Sequence, residues 1–264
     1  MIKDILKIIF IKIKDFFSFF LKKFLSKEFS SLEECILFCK KKNNKKFKYD
    51  SILYSSENYQ TKNINNFLSS ENEDFVTNPY NQILIEFIGY FLLKYKFMPR
   101  ILDIGGGFGQ NYFYLKKVFE TSCVYDVVEV ESSVNLSKIN KLNHSNFFIN
   151  IAQASKNQYD LIYTSGTLQC ILNYKIVLNS IFEKNVNYIV MTRNNFGENN
   201  LVVAQYTENG YLPVHQISFE YLKSLISKYN YSIIRQTDVP FSVLEGNLGT
   251  GSFGKNLILK KVKN

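Results

Sequence analysis

The residues of this chain best suited to chemistry are an acid and three alternating glycines, Asp103-x-Gly105-x-Gly107-x-Gly109, inside the run Arg100-Ile-Leu-Asp-Ile-Gly-Gly-Gly-Phe-Gly-Gln-Asn-Tyr112. Glycines spaced this way let a chain leave a strand through a tight turn and bring bare backbone against a ligand. A helix starting just after them, as the pattern of Gln110 to Phe119 predicts, would turn unpaired N–H groups toward that ligand. Asp103, at the strand end, can hold the loop by accepting N–H bonds, or can act simply as a turn cap. Glu129 stands 20 residues after Gly109, where the next strand should end. A carboxylate there can accept both hydroxyls of a ribose. Glu131 is the rival, but Val127-Val128 runs directly into Glu129. The set points to a nucleotide-like cofactor.

Other candidates fall at the ends of later strands. Thr164-Ser165-Gly166-Thr167 follows an apolar run and puts Ser165 at the same edge, and Phe147-Phe148-Ile149-Asn150 puts Phe148 there or in the core. Between Thr192 and Ile217, the turn signal Glu208-Asn-Gly210 separates Leu201 to Tyr206 from Tyr211 to His215, which predicts a hairpin over the mouth of the site. Its polar groups, with Arg193 just before it, are Gln205, Tyr206 and His215. A histidine has the pKa range to remove a hydroxyl proton, which makes His215 the candidate catalytic base. A satisfied histidine at a strand end is the plain alternative. Leu244 to Gly254 holds four glycines but precedes a strand, so it reads as a rim and not as a second phosphate loop. No metal site is expected, since His144 and His215 are the only histidines and the four cysteines have no CxxC spacing.

The elements that must position these groups alternate. Pro79 opens an apolar helix that ends near Lys96. Strand Arg100 to Asp103, helix Gln110 to Phe119 and strand Cys123 to Val130 follow. Helix Ser132 to Leu142, strands Asn146 to Asn150 and Tyr159 to Thr164, helix Leu168 to Phe182 and strand Tyr188 to Met191 continue the series. Such alternation predicts a parallel sheet with helices on both faces and the strand-end loops gathered along one edge. A helix from Ser218 to Tyr229 then leads to strands Tyr231 to Arg235 and Asn256 to Val262, which have no helix between them and should be antiparallel. The expected fold is α/β: a Rossmann-like, seven-stranded, mostly parallel sheet with a C-terminal antiparallel hairpin and an N-terminal helical extension.

With Asp103 to Gly109, Glu129 and the closing hairpin in place, the chain from Asn78 to Val262 resembles the class I S-adenosylmethionine-dependent methyltransferases. A GxGxxG dinucleotide fold is the structural rival, but here the glycines alternate and an acid precedes them. The resemblance implies S-adenosyl-L-methionine as cofactor, with Asp103 near its amino-acid portion and Gly105 and Gly107 beneath it. It also implies Gly109 allowing close helix packing, Glu129 on the ribose and Ser165 at the same edge. More narrowly, Phe29-Ser-Ser-Leu-Glu-Glu34, Val127-Val-Glu129, Ser165-Gly-Thr-Leu-Gln169, Thr192-Arg193 and Val203-Ala-Gln205 are similar to a family of methyltransferases found among bacterial surface-polysaccharide genes. That implies a glycan or surface-polymer precursor as the acceptor. A catalytically silent binding or scaffold protein on the same fold is the alternative. Base methyltransferases of nucleic acids carry Asn/Asp-Pro-Pro-aromatic where this chain has Tyr163-Thr-Ser-Gly166. Asn78-Pro-Tyr80 precedes the cofactor loop and reads as structural.

The net charge of +9 comes from 32 basic residues, of which only Arg100, Arg193 and Arg235 are arginine. Nucleic-acid readers lean on arginine, whose fork pairs with phosphate and guanine, so the charge is poor support for a specific nucleic-acid partner. Cysteine usage fits a cytoplasmic protein with reduced thiols. In Met1 to Lys27, seven lysines and two aspartates give a local charge of +5 among Ile, Leu and Phe. On a helix this segment is amphipathic but too interrupted to span a membrane. Its apolar face can lie in an anionic membrane interface, on the inner membrane face, or pack on protein. The expected division is a basic amphipathic helix over 1–28, a helical and loop extension over 29–77, and the cofactor-binding domain over 78–264. Within the extension, Ser31-Leu-Glu-Glu34 reads as a capping box opening a helix through Cys39.

Overall fold

The computed structural model describes residues 25–43, 82–139, 144–156, 158–198, 201–207, 210–239 and 252–262. The basic helix expected before residue 25, the polar stretch after residue 43, Asn78-Pro-Tyr80 and most of the glycine-rich rim near Leu244 lie outside these residues.

The central sheet orders its strands as β10-β11-β6-β5-β2-β3-β4. These are β2 (Ile101–Ile104), β3 (Tyr125–Val128), β4 (Phe147–Phe148), β5 (Leu161–Ser165), β6 (Tyr188–Gly197), β10 (Tyr231–Asp238) and β11 (Phe253–Lys261), with β9 (Ile217–Ser218) pairing on the end of β6. Strands β2 to β6 run parallel, while β11 is antiparallel to both neighbours, so the expected closing hairpin forms. Side chains alternate across a strand, and this sheet is apolar on both faces. Leu102, Ile104, Ile162, Ile189, Met191, Leu257 and Leu259 face one core, which is closed by α5 (Tyr174–Glu183) and α6 (Phe219–Lys228). Ile101, Tyr125, Val127, Leu161, Tyr163, Tyr188, Val190 and Ile258 face the other, closed by α2 (Gln82–Tyr95) and α3 (Gln110–Phe119). Helix α2 presents Leu84, Phe87, Ile88 and Phe91 at helical spacing, and each such buried side chain contributes about 1.5–3 kcal/mol. Helix α4 (Glu131–Ile139) joins β3 to β4.

Three differences from the expected elements shape the ligand edge. The helix expected from Leu168 is broken: a 3-10 turn at Leu168–Cys170 stops, Ile171 is extended, and α5 starts only at Tyr174. Gln169 Oε1 accepts the Asn195 N–H at 2.9 Å and Leu172 O faces His215, so the 3-10 turn and the extended residues after it are held by tertiary partners. Strand β6 continues six residues past Met191 through the polar run Thr192 to Gly197, because β11 and β9 pair with it there.

The third difference is at the amino end. Lys27–Phe29 forms a strand, β1, instead of ending the basic helix. It pairs with β7 (Val202–Thr207), which pairs with β8 (Gly210–His215), so the expected hairpin exists and gains a third strand. Helix α1 (Leu32–Lys42), capped by Ser31 Oγ on the Glu34 N–H, packs Cys35 and Cys39 against Val202 and Ala204. The two cysteines, one helical turn apart, are small buried hydrophobes in this core. Asn43 then ties the end of α1 to β8 through both the N–H and the carbonyl of Tyr211.

Candidate functional site

The loop from β2 to α3 has the expected backbone. Gly105, Gly107 and Gly109 all have positive φ, at 75°, 58° and 73°, where a side chain is strained. Space is the second constraint at Gly105, where a Cβ would lie 2.2 Å from the Thr167 side chain. The Thr167 hydroxyl donates to Ser165 O at 3.2 Å and Gly105 O at 3.4 Å, tying the end of β5 to the glycine loop. Ser165 is the last residue of β5 and half-buried at this edge, as expected.

The two acids exchange the task foreseen for Asp103. Asp103 is buried and accepts no loop N–H; its Oδ2 takes the Asn111 side-chain amide at 3.2 Å and the Tyr125 hydroxyl. Burial pushes its pKa up to about 7, against the lowering effect of those two donors. Glu129 holds the loop instead. Its Oε1 accepts the Gly107 N–H at 3.1 Å and its Oε2 accepts the Val130 N–H at 2.8 Å. Its rival Glu131 sits exposed in the first turn of α4. The Phe108 N–H is likewise covered, by Gln110 Oε1 at 3.1 Å.

Sequence reasoning missed His144, which falls in the short connection between the expected helix Ser132 to Leu142 and the strand from Asn146. Its Nε2 is 3.0 Å from Phe108 O; a carbonyl can only accept, so the ring donates and pins the loop. The ring stacks on Tyr112 at 5.2 Å and 26°, and burial holds its pKa below the usual histidine value. A Cβ on Gly109 would come within 2.8 Å of this ring, so Gly109 makes room for His144 where close helix packing was expected. Phe148 ends β4 half-buried against the core.

Arg193 reaches the same edge by an unexpected route. Between the register pairs Met191–Leu257 and Asn194–Lys255, Thr192 and Arg193 oppose Asn256 alone, which is a β-bulge. Arg193 takes the left-handed conformation there, with φ 56°, and its guanidinium carbon lies 3.6 Å from where a Cβ on Gly166 would be. His215 stands apart from the glycine loop. It ends β8 opposite Val202, 8% exposed, with Nε2 3.1 Å from Leu172 O and its ring 5.1 Å from that of Tyr174. Tyr206 packs on Tyr211 within the three-stranded sheet. Among the described residues no group of three or more His, Cys, Asp or Glu could hold a metal ion, and no helix is long and apolar enough to cross a membrane.

The edge therefore offers a bare-backbone loop after β2, a carboxylate after β3 bonded to that loop, and hydroxyl groups after β5. These residues fit an extended nucleoside lying across the strand ends.

No family model and no curated protein matches the chain. Solved structures of similar outline do exist. Magnesium protoporphyrin IX methyltransferase from Synechocystis PCC 6803 with bound SAH is 10% identical over 81% of this chain and 97% of its own, with a TM-score of 0.49. The 1,6-didemethyltoxoflavin-N1-methyltransferase of Burkholderia thailandensis, with bound 1,6-didemethyltoxoflavin and S-adenosylhomocysteine, is 13% identical over 81% and 89%, with a TM-score of 0.46. The CcbJ methyltransferase of Streptomyces caelestis is 12% identical over 75% and 96%, with a TM-score of 0.45. At that level the likeness is one of outline only.

Proposed function

We propose that this chain is an S-adenosylmethionine-dependent methyltransferase acting on a glycan or surface-polymer precursor. The observation that carries the reading is the bond from Gly107 N–H to Glu129, at the paired ends of β2 and β3, in a sheet whose only reversed central-sheet strand among those described is β11. Glu129 would take the ribose hydroxyls, Gly105 and Gly107 would lie beneath the donor, and Asp103, through Asn111, would tie α3 to the end of β2. S-adenosylmethionine, when bound, supplies an electrophilic methyl group. The chain's own part is to align the acceptor with it and exclude water. The glycan class rests on the likeness of Phe29 to Glu34, Ser165 to Gln169 and Thr192-Arg193 to the polysaccharide-associated family, and the basic segment 1–27 would bring the protein to the inner membrane face.

Calorimetry with S-adenosylmethionine and S-adenosylhomocysteine tests the cofactor, with saturable binding of both expected. No heat at millimolar ligand would sink the enzyme reading. Binding of both without transfer to any acceptor would favour a silent scaffold instead. Flotation with anionic liposomes, with and without residues 1–24, tests the setting; equal flotation would remove the membrane contact.

A further inference from the structure

A cleft of about 280 Å³ opens where three parts of the chain meet. Ser30 and Leu32 reach it from the start of α1, Val202 and His215 from the hairpin, and Asn173 and Tyr174 from the entry to α5. It is separate from the glycine loop but joined to it by a short path. Thr167 abuts Gly105, and five residues later Leu172 O holds His215. The chain between them, a 3-10 turn at Leu168–Cys170 followed by extended Ile171, spans at most about 17 Å.

The tautomer of His215 is set by its partner. Leu172 O cannot donate, so Nε2 carries the ring proton and Nδ1 of the neutral ring carries a lone pair. Burial, with the Lys175 ammonium adding to it, holds the pKa of His215 below the usual value, so the ring is neutral at pH 7. The groups facing it are the Tyr174 phenol ring and Lys175, both at the entry to α5.

We propose that this cleft receives the methyl acceptor, that the acceptor atom is a hydroxyl oxygen on a ring-sized molecule, and that His215 Nδ1 takes its proton. This rests on the methyltransferase reading and names its acceptor site. An acceptor carboxylate would bring no proton for Nδ1 to take, and a protonated amine would meet Lys175. In the balanced step the hydroxyl oxygen bonds the methyl carbon, the carbon–sulfur electron pair stays on sulfur, and the hydroxyl proton passes to Nδ1, leaving an imidazolium that releases it to water. The strand and helix over residues 27–42 thereby form one wall of the acceptor site, since Ser30 and Leu32 line it.

The test uses full-length protein labelled with 15N-histidine, saturated with S-adenosylhomocysteine, and titrated with D-glucose, D-galactose, N-acetyl-D-glucosamine and phenol. The expected spectrum shows His215 with its proton on Nε2, and at least one probe moves the Nδ1 resonance. His215→Gln keeps a donor for Leu172 O but has no basic nitrogen; it should bind S-adenosylhomocysteine unchanged and that probe about tenfold more weakly. Ile176→Trp, at an exposed residue of the cleft wall, should weaken the probe likewise without touching the core. If no probe moves Nδ1, or if both variants bind the probe as wild type does, the cleft proposal fails while the cofactor reading stands. Failure of S-adenosylhomocysteine itself to bind would overturn the methyltransferase reading, and this proposal with it.

Discussion

The Arg193 N–H donates to Asn256 Oδ1 at 2.9 Å, from an arginine whose backbone lies in a conformation that favours glycine. Asn256 is itself steadied by Thr237, whose hydroxyl accepts its amide at 3.2 Å. The left-handed conformation costs a non-glycine residue about 1–2 kcal/mol. Such strain at a bulge beside a ligand edge is where a side chain is re-aimed for function. Arg193→Gly should therefore raise the free energy of unfolding in urea by about 1 kcal/mol. The same variant should bind or turn over the acceptor more weakly. A variant no more stable than wild type would show that Arg193 is not strained.

Gly105 carries two constraints that can be separated. Gly105→Ala meets both the positive φ and the Thr167 side chain. It should lose at least about 2 kcal/mol of stability and all measurable S-adenosylhomocysteine binding. Adding Thr167→Gly removes the clash but not the φ cost, so it should restore part of the stability. Full restoration, read by thermal melts, would assign the whole effect to the clash.

Glu129 is expected to matter through charge and geometry together. Glu129→Ala leaves the half-buried Gly107 N–H without its acceptor and removes the proposed ribose partner. A charge-assisted hydrogen bond is worth about 1.5–3 kcal/mol, so S-adenosylhomocysteine affinity should fall by about 10 to 100 fold by calorimetry. Glu129→Gln, which keeps one oxygen, should fall between alanine and wild type. Glu131→Gln, at the exposed rival, should bind as wild type.

Asp103 makes stability depend on pH. Its carboxyl is raised in the folded chain from 3.8 to about 7, chiefly by burial, so between those values the native state holds a proton that the unfolded state has lost. Unfolding free energy should then decline as pH rises from about 4 to about 7 and level off above, because the native state binds more protons across that window. Asp103→Asn can still accept from Tyr125 and Asn111, and it should abolish this contribution. Urea titrations at several pH values check it; an unchanged slope in the variant would assign the dependence to other groups.

Removing residues 1–43 would take away both β1 and α1 and uncover Val202 and Ala204. The truncated chain should lose hydrogen-exchange protection in 202–215 while the central sheet keeps it, because that sheet has its own two cores.

Much of this protein was determined by sequence alone. The apolar runs, their alternation with helical segments and the absence of a helix before the last strand dictated a mostly parallel sheet closed by an antiparallel pair, because those patterns are local and repeat at periods of 2 and 3.6 residues. The glycines at 105, 107 and 109 and the acid at 129 were legible for the same reason: backbone needs and strand ends are written within a few residues. Tertiary structure decided what depended on distant partners. It assigned the loop-holding role to Glu129 instead of Asp103, because Tyr125 and Asn111 claim the Asp103 carboxylate. It extended β6 through polar residues by pairing them with β11, and it placed Arg193 in a bulge opposite Asn256. It drew Lys27 to Phe29 across the chain to β7, put His144 on the glycine loop, and chose the tautomer of His215 through Leu172 O. Each of these is a contact between residues far apart in the chain, whose energy depends on a geometry that no local pattern records.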